Sequence, residues 1–120
     1  MAAVGLLECS FLIPDRRDPV SSDGKPHRRK SWVWLEEKLW LFGGMTRSLG
    51  FHQGGYVDPD MGERVPDRSR KYSVAIPRAR LGELRELLGK ACGQFHQKCI
   101  YLNVAGHVEF VERSKHEKRD

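Results

Sequence analysis

The amino-acid sequence predicts a single small α+β domain, and three observations carry the prediction. Two segments space their apolar residues as helices do. The segments around them alternate or run apolar as strands do. Together they fall in the order strand, helix, strand, strand, helix, strand. A chain of 120 residues fits one domain and can bury a core without disulfides or metals to staple it.

The elements follow in order. Leu6 to Pro14 is a short apolar run ended by proline, suited to a buried strand. Asp15 to Lys30 is polar and holds Pro19, Gly24 and Pro26, so it reads as a long flexible loop. Ser31 is an N-cap candidate for a helix from Trp32 to Phe42. On that helix Trp32, Val33, Leu35, Leu39, Trp40 and Phe42 fill an apolar arc, with Glu36 inside it. Trp34 and Leu41 fall on the far side, and Gly43-Gly44 ends the helix. Met45 to Val57 reads as one strand interrupted at Gly50, Gly54 and Gly55. Asp58 to Gly62 is turn chemistry, and Val65 followed by Arg70 to Ile76 is the return strand of an antiparallel hairpin. Pro77 opens a second helix from about Arg78 to His96, with Leu81, Leu84, Leu88, Ala91, Cys92 and Phe95 as its stripe. Cys99 to Ala105 is the next strand, Gly106-His107 its turn, and Val108 to Val111 a short partner. This order is the split βαβ arrangement of a ferredoxin-like sandwich: about five antiparallel strands with two helices on one face. The domain should span 1–112, followed by a charged tail over 113–120. The opposite sheet face must be polar or covered, and a homodimer is the expected cover.

Hydrophobic residues make up 39% and charged residues 31% of the chain, which excludes a disordered composition. No apolar run is long enough for a membrane span, and Met1 to Pro14 lacks the basic start of a signal peptide. The three cysteines, Cys9, Cys92 and Cys99, follow no disulfide spacing and read as reduced thiols of a cytoplasmic protein. The net charge is +5, and part of it clusters at Lys25, His27, Arg28, Arg29 and Lys30 and in the tail. That excess permits an anionic ligand or nucleic acid as partner.

The segment Ser69-Arg70-Lys71-Tyr72-Ser73-Val74-Ala75-Ile76-Pro77, followed by Phe95-His96-Gln97-Lys98-Cys99-Ile100-Tyr101-Leu102, resembles a family of short uncharacterised bacterial proteins. Trp32 to Gly44 and Gly54 to Gly62 match the family's tryptophan-bearing first helix and glycine-rich hairpin. The resemblance implies the element order and a bacterial origin, and it implies no chemistry.

Several groups of residues are candidates for function. Lys25, Arg28, Arg29 and Lys30 crowd a helix N-terminus that prefers anions, so a phosphate-like group there would relieve their repulsion. The alternative is a solvated loop whose charges are screened. Nucleic-acid binding would add Trp34 as a stacking aromatic, although no RNA- or DNA-binding signature occurs. Cys92, His96 and Cys99 offer metal-ligand types, but without the second close pair of a zinc site, and Cys92 also fits as a small core residue. His52, Glu36 and Tyr101 are acid–base candidates, with His96 and His107 beside them. Glu36 could instead pair with Arg47 or Arg70. A small enzyme built on His52, Glu36 and Tyr101 requires one cleft where the three converge. No nucleophile elbow, phosphate loop or zinc-protease motif occurs, so no cofactor is expected. Trp34, Leu41 and the glycine stripe Gly82, Gly89 and Gly93 are candidates for a contact between chains. The leading expectation is a binding or interaction module.

Overall fold

The computed structural model describes residues 5–58 and 60–114. Six strands form one antiparallel sheet: β1 (Leu6–Pro14), β2 (Thr46–Arg47), β3 (His52–Val57), β4 (Arg64–Pro77), β5 (Cys99–Val104) and β6 (His107–Glu112). Helices α1 (Arg29–Trp40) and α2 (Leu81–Gln94) lie against it. The strands run in the order β2-β4-β1-β5-β6, and β3 pairs with β4 further along. With β1 and β4 at the centre and β5 outside β1, this is the ferredoxin-like order, with β6 added at the edge.

Side-chain alternation builds the core. Cys9, Phe11 and Ile13 of β1, Tyr72, Val74 and Ile76 of β4, and Ile100, Leu102 and Val104 of β5 point to one face. They form a single buried cluster with Trp32, Leu35 and Leu39 of α1 and Leu81, Leu84, Leu87, Leu88, Ala91 and Cys92 of α2. Each fully buried leucine adds roughly 1.5–3 kcal/mol of transfer free energy. The opposite face mixes Glu8, Ser10, Lys71 and Ser73 with Leu12, Tyr101, Val108 and Phe110, and Val108 and Phe110 are exposed.

Five expectations need correction. Helix α1 starts at Arg29, not Trp32: Arg28 occupies the N-cap position without a side-chain cap, and Ser31 lies buried inside the helix. The buried arc is therefore rotated toward Ser31, through Trp32, Leu35, Leu39 and Phe42. It leaves Val33 and Trp40 exposed, while Trp34, expected outside, packs half-buried against the core. The expected strand 45–57 is two strands, because Gly50 (φ +72°) turns the chain between β2 and β3, making six strands in all. The last hairpin turns at Ala105-Gly106, one residue before the expected position, since Val104 pairs with His107. Both turn residues have positive φ (49° and 96°), and Asn103 Oδ1 accepts the Gly106 N–H. Finally, the ordered chain continues past 112: Ser114 N donates to Gly89 O at 3.0 Å and Arg113 N to Lys98 O at 3.3 Å. The rest of the expected tail, 115–120, lies outside the described residues.

Candidate functional site

The stretch read as a flexible loop is fastened along its length. Arg17 N donates to Lys25 O, Asp18 N to His96 O, and Gln97 Nε2 to Arg16 O. Asp18 is its hub: the carboxylate accepts from Ser21 Oγ (2.6 Å), Tyr56 OH (2.7 Å) and Val20 N (3.1 Å). Burial alone would raise the Asp18 pKa, but these hydrogen bonds outweigh it and hold the group below its ordinary value. His27 closes the loop onto the core. Its Nε2 donates to Pro14 O at 2.7 Å, and its ring meets Trp32 and Phe95 edge-on at 5.4 and 4.8 Å. Burial lowers its pKa, so His27 is a neutral structural group and not one of the loop's cations.

Fastened this way, the loop walls a cleft of about 830 Å³ against the end of α2 and residues 97, 98 and 113. Arg17, Arg28, Lys30, Lys98 and Arg113 line it, and among the described residues no carboxylate does. Of the four expected anion-binding residues, Arg28 and Lys30 reach this cleft. Arg29 faces a different groove, beside Trp32, Glu36, Arg47 and Arg70, and Lys25 lines neither. Sequence reasoning missed Arg17 and Lys98, and it placed Arg113 in the charged tail and not in this site. Lys98 and Arg113 are 15 positions apart in the sequence and meet only because Arg113 N bonds Lys98 O beside the β5–β6 hairpin. Arg17 Nη1 pairs with Asp23 at 3.0 Å, and its buried Nε has no hydrogen-bond partner among the described residues.

The acid–base candidates do not converge. Glu36 faces the sheet, where its Oε2 accepts from Arg47 Nη1 (2.8 Å) and Tyr72 OH (2.7 Å), the arginine pairing foreseen as an alternative. Burial, together with Glu36, pushes the Tyr72 hydroxyl up to about 12. His52 is exposed on β3, and Tyr101 lies on the opposite sheet face against Phe110. The enzyme built on those three residues therefore has no cleft in this fold. Cys92 is buried and donates to Val111 O, Cys99 is exposed, and His96 sits at positive φ (49°) where α2 ends. Among the described residues, no three His, Cys, Asp or Glu side chains gather as a metal site.

The glycine stripe also reads differently. A Cβ on Gly89 would meet Glu112 O at 3.3 Å, so a backbone does pack there, but it is the chain's own. Gly82 faces open space and Gly93 lines the basic cleft. Of the aromatic and aliphatic contact candidates, Leu41 is exposed and Trp34 is not.

No family model and no curated protein matches the chain. Among solved structures it is similar to a phage SAM lyase in complex with S-methyl-5'-thioadenosine, with a TM-score of 0.69 and 11% identity over 98% of this chain and 97% of that one. The phage SAM lyase in its apo state matches over the same shares, with a TM-score of 0.62 and 11% identity. At this identity the likeness shows the fold alone.

Proposed function

We propose that the chain is a small-ligand-binding domain that takes an anionic ligand in the basic cleft. The observation that carries this reading is the convergence of Arg17, Arg28, Lys30, Lys98 and Arg113 on one concave surface, with no lining carboxylate among the described residues. The N-terminus of α1 has no side-chain cap and adds the positive end of the helix dipole, and no acidic residue occupies its first turn. The cleft has the volume of a small-molecule site. The fold likeness lends support by analogy: a domain of this shape holds S-methyl-5'-thioadenosine, a nucleoside-sized ligand. The family resemblance to short bacterial proteins stays part of this proposal.

The same cations would serve nucleic-acid binding, but that reading lacks a stacking platform beside them. Trp34 packs on the core, and the exposed tryptophan, Trp40, is 12 residues from Arg28, about 18 Å along α1.

Isothermal titration with inorganic phosphate, ADP and a single-stranded oligonucleotide tests the proposal. Saturable binding of phosphate or ADP, weakened about tenfold by Arg28→Ala or Lys30→Ala, is the expected result. Affinity for the oligonucleotide alone, with a steep salt slope, would transfer the cleft to the nucleic-acid reading. Native mass spectrometry of the same samples reads whether the chain is the expected homodimer.

A further inference from the structure

On the other side of the loop lies a second cavity, of about 530 Å³ and open to solvent on one side, between the loop and the β3–β4 hairpin. Its apolar lining includes Pro14, Pro19, Tyr56, Val65 and Pro66. Most of the charged groups around it are already matched. Asp15 pairs with Arg68 at 2.7 Å, Arg17 with Asp23 at 3.0 Å, and Asp18 is held by Ser21 and Tyr56. Arg16 is exposed, and its carbonyl is bonded by Gln97.

Among the described residues two lining groups are unmatched, the guanidinium of the exposed Arg16 and the carboxylate of Asp67. The Asp67 side chain is half-buried in the cavity wall and makes no hydrogen bond or ion pair among the described residues. Its cross-strand partner is Gly54, whose missing side chain leaves the carboxylate uncovered. A Cβ built there would lie 3.8 Å from Asp67 Oδ1. Burial raises the Asp67 pKa, the mark of a carboxylate that has lost water and gained no partner. A half-buried ionisable group left in this state costs stability, and such groups concentrate where a ligand completes them.

We infer that this cavity binds an organic cation, an amine- or amidine-bearing small molecule whose N–H groups donate to the Asp67 carboxylate while its apolar body rests on Pro14, Pro66 and Tyr56. The site is separate from the basic cleft and has the opposite charge preference, although Arg17 and Gln97 line both.

The test is an amide NMR titration of the whole chain with benzamidine, agmatine and methylguanidine, with benzyl alcohol and benzoate as neutral and anionic controls. The expected result is a saturable shift of the Gly54, Tyr56, Asp67 and Arg68 amides by at least one of the cations and by neither control. Asp67→Asn, which keeps the shape and removes the charge, should weaken that binding at least about tenfold, because a charge-assisted hydrogen bond becomes a neutral one. Arg28→Ala should leave it unchanged, so failure of the basic cleft and failure of this cavity read out separately. Absence of any saturable shift, shifts elsewhere, equal shifts from benzyl alcohol, or full binding by a folded Asp67→Asn variant would overturn the inference.

Discussion

At the scale of single residues, Asp18 and Asp67 show how one side-chain type takes opposite roles within one loop–hairpin unit. Asp18 accepts three hydrogen bonds and sits below its ordinary pKa, while Asp67 accepts none among the described residues and sits above it. The stability consequence for Asp67 follows from linkage. Its folded pKa is above the unfolded value, so the folded state binds the proton more tightly, and the stability from this group is present in acid and lost as pH rises through the folded pKa. Asp67→Asn removes that loss. The variant should therefore melt above the parent at pH 7, and the gap should close as pH falls below about 3.9, where the parent carboxylate is protonated in both states. Thermal melts of the two proteins across pH check this. A variant less stable than the parent at pH 7 would mean that Asp67 has a partner.

At the scale of elements, the legible parts were those set by local periodicity. The stripe Leu81, Leu84, Leu88, Ala91, Cys92 and Phe95 is buried as its spacing requires, and the alternation of Tyr72, Val74 and Ile76 lies in the core face of β4. What escaped the sequence was decided by tertiary fit. Trp34 and Trp40 have equal hydrophobicity but lie about 120° apart around the helix, and the rotation of α1 toward Ser31 turns Trp34 onto the core and Trp40 into solvent. The sequence places the last turn at Gly106-His107, and the register Val104 to His107 instead puts it at Ala105-Gly106, with Ala105 at φ 49°. An L-residue in that region costs roughly 1–2 kcal/mol, while glycine adds back about 0.4–1 kcal/mol of unfolded-state entropy. Ala105→Gly should thus stabilise the protein by about 0.5–1 kcal/mol, read as a higher denaturant midpoint at unchanged m-value.

At the scale of the whole molecule, the candidate site was half legible. Arg28 and Lys30 stood in an obvious basic run, but Lys98 and Arg113 became part of the same surface only through the turn after α2 and the β5–β6 hairpin. The net charge of +5 is therefore partly focused on one cleft. That focus has two opposed consequences. Without a ligand, like charges around a concave surface repel, weakly because they are solvated and screened over about 8 Å at 0.15 M salt. With an anion bound, the same charges stabilise the fold by mass action, by about 2.7 kcal/mol at a hundredfold excess over Kd. The double variant Arg28→Ala/Lys30→Ala should reverse the order of the two proteins between the two conditions. In dilute buffer it should melt at or slightly above the parent. In excess phosphate it should melt below it, and the difference should shrink as sodium chloride is raised toward 1 M, where the screening length is about 3 Å. Melting followed by tryptophan fluorescence measures both orders directly. If the variant fell below the parent without phosphate as well, the two side chains would belong to the packing of α1 and not to a ligand site. If the order never reversed at any phosphate concentration, the cleft would hold no anion.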